Sequence, residues 1–252
     1  MVDTHCHIYS EYYDNIDKII ENAINSGIKM IIVNGCDLKS NKEVLELVCK
    51  YDLVYGALGI QPEEVDDYTD ESINFIESHI NDDKIIAVGE IGLDYHYECN
   101  RELQKELFRR QLDIAKKYNK PVIIHSRDSI QDTYNILSEY PIKGIMHCYS
   151  GSVEMAREFI KLGFLLGIGG ICTFKNARRL IDVIKDTGLE YIVLETDSPY
   201  LTPEPYRGKT NEPAYISYIS NKIADIKDIS ENDVNDTTTL NVLRLFDKNI
   251  KL

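Results

Sequence analysis

The chain has 252 residues, a formal net charge of −14 and 43% hydrophobic residues, with a sequence pI near 4.9. The length suits one α/β barrel with a large core, and no second domain is required. The acidity argues against a protein that coats nucleic acid or an anionic membrane, so any nucleic-acid contact should be local.

Strand-like runs start near Val2, Ile28, Leu53, Ile85, Pro121, Lys143, Phe164 and Tyr191, each rich in β-branched and aliphatic residues and bounded by Gly, Asn or charges. An amphipathic stretch follows each. Between Asn15 and Ser26, residues Ile16, Ile19, Ile20, Ala23 and Ile24 form one apolar stripe, and Gly27 stands where a C-terminal cap belongs. Further helices are expected over Ser40–Tyr51, Asp70–Ile80, Asn100–Tyr118, Ser129–Glu139, Ser152–Leu162 and Asn176–Thr187, with two more after Pro213. Alternation without a linker or low-complexity tract predicts a single (β/α)8 TIM barrel spanning residues 1–252.

Six side chains with metal-ligating chemistry fall where apolar runs end: His5 and His7 after the first, Glu90 after the fourth, His125, His147 and Asp197 after the fifth, sixth and eighth. In such barrels the active site lies at these strand ends, so the set reads as a binuclear metal hydrolase. The His5/His7 spacing has strand period two, which faces both imidazoles to the barrel axis and turns Cys6 into the wall. A carboxylate at Glu90, buried near the axis, is costly without a cation; the rival is an ion pair with Arg127. Asp197 could instead cap a turn through Ser198 and Pro199. His79, on a helix, reads as structural, and His96 as a loop residue. Two cations held together would polarise a phosphoryl oxygen and supply a water-derived nucleophile at neutral pH, with Asp197 as the best general base. Mixed imidazole and carboxylate donors suit Zn²⁺, Mn²⁺ or Co²⁺, and Mg²⁺ if waters complete its shell.

Cationic groups expected on this face are Arg127, Lys175, Arg207 and Lys209, competing with a reading as solvated charges. Tyr95, Tyr149, Tyr200 and Tyr206 could stack bases or pack the rim. The six cysteines show neither CxxC nor paired spacing, which fits a reducing cytoplasm. No signal peptide or membrane span is expected.

The motifs DTHCH, GEIGLDY, PVIIHSRD, HCYSG, LETDSPYLTP and PYRGKTNEP, in this order, resemble those of the TatD-related deoxyribonucleases of the metal-dependent hydrolase superfamily. The resemblance covers essentially the whole chain. It implies two divalent ions, one held by His5, His7 and Asp197, the other by His125 and His147, with Glu90 bridging. It also implies hydrolysis of DNA phosphodiester bonds from an end, in single strands or frayed ends. Two departures bear on the substrate: the usual GxHP segment is Gly59-Ile60-Gln61-Pro62, and the usual Arg before Asn-Glu-Pro is Thr210. Both family residues are expected near phosphate; Gln61 can donate a hydrogen bond but brings no charge. Rival readings are ester cleavage on aminoacyl-tRNA, an amidohydrolase acting on a small molecule, and a phosphate-binding barrel without catalysis. The amidohydrolase usually places a carbamylated Lys where this chain has Glu90.

Overall fold

The structure, a computed structural model, describes residues 1–246 and Ile250. The remaining residues of the span read as one barrel lie outside the described residues. Eight parallel strands run in sequential order: β1 (Val2–Cys6), β2 (Met30–Asn34), β3 (Val54–Leu58), β4 (Ile85–Asp94), β5 (Val122–Arg127), β6 (Gly144–Met146), β7 (Phe164–Ile168) and β8 (Ile192–Leu194). Helices α1 (Ile16–Asn25), α2 (Leu38–Lys50), α3 (Asp70–His79), α4 (Arg101–Tyr118), α5 (Ile130–Leu137), α6 (Val153–Lys161) and α7 (Arg178–Asp186) alternate with them, and α8 (Ile216–Lys227) and α9 (Glu231–Phe246) follow β8. The barrel closes between β8 and β1 through a Cys6–Ser198 bridge and backbone bonds from Asp197 to His5 and from His7 to Ser198, at 2.9 and 2.7 Å. This is the (β/α)8 fold, with helix bounds within a few residues of those expected.

Side-chain alternation divides the core. Ile31, Val33, Ile124, Met146 and Leu194 pack toward the helices, while Met30, Ile32, Ile123, Ile145 and Val193 form an inner cluster that Val242 and Phe246 of α9 join. Continuing the inner column by two residues on β5, β6 and β8 reaches His125, His147 and Glu195. Sequence thus sets which side chains meet on the axis.

Two strands need a correction of phase to do the same. Between Asp3 and Cys6, β1 carries one residue more than its partner between Ile31 and Val33, and β4 does so between Val88 and Ile91 against Val122 and Ile124. Each is a bulge, which flips the side-chain alternation beyond it. Val2 therefore lies inside and Cys6 in the wall, leaving His5 and His7 inward. On β4 the bulge turns Glu90 and Asp94 in, and Ile91 and Leu93 out to the helix-facing core. Gly92 sits in this stretch at φ 148°, where a Cβ would stand 2.0 Å from the His125 carbonyl oxygen of the neighbouring strand. Only glycine fits that approach. The expectation that Glu90 ends its strand is corrected: pairing with β5 carries β4 on to Asp94.

Candidate metal centre

His5 is fully buried, Glu90 and His7 nearly so. Glu90 divides its two oxygens between two sides of the axis. Oε2 lies 3.4 Å from His5 Nε2 and 3.5 Å from His7 Nε2, whereas Oε1 lies 2.8 Å from His125 Nδ1 and 3.7 Å from His147 Nε2. Arg127 is not among the Glu90 partners in the structure; its guanidinium stands over the Tyr97 ring at 5.4 Å. Asp197 Oδ1 lies 3.8 and 3.7 Å from the same nitrogens of His5 and His7, which are themselves 3.1 Å apart. A tetrahedron with metal–ligand bonds of about 2.1 Å has edges of about 3.4 Å, so His5, His7 and Glu90 have the spacing of three ligands of one metal, with Asp197 Oδ1 beside the two histidines. Among the described residues three overlapping groups could hold an ion: His5, His7 and Glu90; His5, His147 and Asp197; and Glu90, His125 and His147. All six side chains singled out in the sequence meet here.

The electrostatics point the same way. Burial, reinforced by neighbouring imidazoles, lowers His5 and His7, which keeps their lone pairs free. Burial works against charge on His125 and His147 too, but carboxylates outweigh it: Asp94 and Glu90 raise His125 to about 10, and Glu195 and Asp197 help raise His147 to about 9. Burial opposes ionisation of Glu90, yet His5, His125 and His147 hold it well below the carboxylate range. Asp197 is pushed up to about 7, chiefly by burial, with Glu90 and Glu195 adding to the rise. The acids thus retain positive charge at the axis, and divalent ions would supply it in place of protons.

The loop after β8 is built to present Asp197. Its φ of 54° lies in the left-handed region, which Asp tolerates better than most residues. The buried Asn211 clamps the turn, its Nδ2 donating to the Thr196 and Tyr200 carbonyl oxygens at 2.8 and 2.6 Å. Asp3 accepts from the Thr196 backbone N–H at 2.9 Å and from its hydroxyl at 2.5 Å, tying β1 to this loop.

The substrate-side expectations fare unevenly. Arg127, Lys175, Arg207 and Lys209 are exposed; Arg207 stacks on Phe174 at 4.1 Å. Gln61 lines a cleft of about 180 Å³ beside His7. Tyr149 is buried, its hydroxyl donating to the Ser152 carbonyl at 2.7 Å and its ring set edge-on to Phe159. It belongs to the core and has no face free for a base. Tyr95 is held by Asp132 and Tyr206 is stacked on Tyr215, but Tyr200 is half exposed near His7. His96 pairs with Asp128, and His79 bonds its own helix at Phe75. Thr210 is exposed.

Sequence reasoning missed Asp94 and Glu195. Asp94 Oδ2 lies 2.9 Å from His125 Nε2, and Glu195 Oε1 lies 3.2 Å from His147 Nδ1. Both stand in the motifs quoted, GLDY and LETD, and Glu195 is two residues from Asp197 at the end of the same apolar run. That spacing was the available signal.

Barrel and donor set together define a metal-dependent hydrolase. The family described as TatD related DNase matches residues 2–247, and the chain belongs to it. Among its relatives, an uncharacterized metal-dependent hydrolase of Bacillus subtilis, YabD, is 40% identical over 251 residues, covering 98% of each chain. The Escherichia coli K12 protein YcfH, described in the same words, is 33% identical over 98% of this chain and 95% of its own. A solved TatD homolog from E. coli, YJJV, superposes with a TM-score of 0.93 at 29% identity, covering 98% of this chain and 97% of that one. No described helix is long and apolar enough to cross a membrane, and all six cysteines are free.

Proposed function

We propose that the chain hydrolyses phosphodiester bonds in DNA, starting from a strand end, with two divalent ions. His5, His7 and Asp197 would hold one and His125 and His147 the other, with Glu90 between them. The observation that carries this reading is the division of Glu90: one carboxylate oxygen faces each histidine pair. When bound, the ions would polarise the phosphoryl oxygen and activate water. Asp197, beside the His5 and His7 nitrogens and largely withdrawn from solvent, sits where it can take the nucleophile's proton. Glu90 stays ionised and so holds charge between the two histidine pairs.

The charge around the mouth supports binding at an end. The cleft beside His7 is lined by Glu11, Asp37, Glu43, Glu63 and Glu64, with Lys39 as its one cation among the lining residues. Lys39 is itself paired with Glu11 at 2.6 Å. A polyanion would be repelled there and favoured by the loops carrying Arg127, Lys175 and Arg207, so a strand would extend from the centre in one direction.

The same cleft favours a second reading, ester cleavage on aminoacyl-tRNA. Tyr9, Tyr12 and Tyr200 also line it, and tyrosine faces among carboxylates suit an ammonium group. A panel of single-stranded DNA, aminoacyl-tRNA and small amides, assayed with Zn²⁺, Mn²⁺, Co²⁺ and Mg²⁺, separates these. End-labelled DNA should be shortened stepwise from one terminus; cleavage of the charged tRNA alone would move the assignment to the second reading.

A further inference from the structure

We propose that Glu195 and Asp94 are positioning residues, two buried carboxylates set behind the outer ring nitrogens of His147 and His125 that aim the inner nitrogens at Glu90. This rests on the metal reading of the centre. It does not depend on which ester is cleaved.

Glu195 has no exposed surface. Its Oε1 accepts the Cys148 backbone N–H at 2.6 Å and lies 3.2 Å from His147 Nδ1, close but out of line for a full hydrogen bond. Its Oε2 has no hydrogen-bond partner among the described residues. A carboxylate is not buried at such cost for one backbone N–H, so the cationic or metal-bound imidazole is its counterpart. The space it occupies is reserved by Gly167, where a Cβ would stand 2.2 Å from Glu195 Oε2.

Asp94 repeats the arrangement on β4. It is nearly buried, its Oδ2 lies 2.9 Å from His125 Nε2, and its Oδ1 accepts the His96 N–H at 2.8 Å. The other histidine pair lacks such backing. His7 Nδ1 faces the Asn34 carbonyl at 3.1 Å, and His5 Nδ1 has no hydrogen-bond partner among the described residues. A carboxylate behind a ligating imidazole fixes the ring and raises the basicity of the nitrogen opposite. Here that support is given to one pair and not to the other.

Zinc competition titration of the full-length protein, stripped by chelation and reloaded, tests the idea. Glu195→Gln and Asp94→Asn should each weaken one of two zinc sites by roughly 10–100-fold and spare the other. Gly167→Ala, which keeps the charge but displaces the carboxylate, should do the same through His147. In zinc-loaded, histidine-labelled protein, NMR should show an exchange-protected Nδ1–H on His147 that Gly167→Ala exposes. The proposal is overturned if all three variants hold both ions as tightly as wild type. It is equally overturned if both sites weaken together with the thermal stability of the metal-free protein. A wild type with fewer than two zinc ions, whose protected His147 proton is still exposed by Gly167→Ala, would refute the binuclear reading and uphold the positioning role.

Discussion

At Asp197 three features of the proposed centre meet in one side chain: a carboxylate oxygen within 3.8 Å of the histidine pair of β1, a position largely withdrawn from solvent, and a left-handed backbone that aims it inward. Asp197→Asn keeps the size and removes both the charge and the proton acceptor. Turnover should fall by roughly two or more orders of magnitude while the fold survives. Steady-state kinetics beside circular dichroism and metal content would check it, and near-normal turnover in a fully loaded mutant would remove Asp197 from the chemistry. The six candidate ligands were legible because each follows an apolar run, and runs are what a single sequence displays best. Asp94 and Glu195 were hidden by stronger neighbours, each lying four or fewer residues from a candidate ligand in a motif already given a purpose. Tyr149 was misjudged for the opposite reason. Its place after a candidate ligand suggested a loop residue that could stack a base or pack the rim, but the chain turns there and buries the ring against Phe159.

The elements that matter most are the two bulged strands. Without the extra residue in β1 the alternation begun at Val2 would turn His5 to the helices, and without that in β4 Glu90 would follow Ala87 out of phase. Alternation read from sequence cannot show a bulge, because the inserted residue looks like any other member of the run. Gly92 was the nearest thing to a mark. Its replacement by Ala should cost about 2–5 kcal/mol, combining the strain of an unfavourable φ with a clash against β5. Gly208→Ala is the internal control: φ is 90° there but nothing lies within 4 Å of the added Cβ, so only the backbone strain of about 1–3 kcal/mol applies. Urea unfolding of the two mutants would compare them, and equal losses would mean that the β4–β5 approach is not what excludes a side chain.

At the scale of the whole molecule part of the charge of −14 is gathered in one cleft beside the candidate centre. Glu11, Glu43, Glu63 and Glu64 gather in one cleft although the sequence spreads them over three loop and helix segments, so the cleft was not legible before the fold was known. If a strand end is gripped through two or three local cations outside this cleft, the log–log salt slope on single-stranded DNA should be roughly −1.5 to −2. Adding length to the oligonucleotide should change it little. Thr210→Arg should tighten binding and steepen the slope by up to about 0.7, and Gln61→His, which restores the residue usual in GxHP, should also tighten it. A slope that grows with length, in binding isotherms across salt concentrations, would reveal an extended basic track instead.

Central to the account is a pair of divalent ions sharing Glu90, and counting metal by elemental analysis reaches it most directly. Protein purified without chelators and loaded to saturation should hold two ions per chain, and Glu90→Gln should lower the occupancy of both sites, since one carboxylate serves each. One ion or none in the saturated wild type, or a Glu90→Gln variant that still holds two, would contradict it.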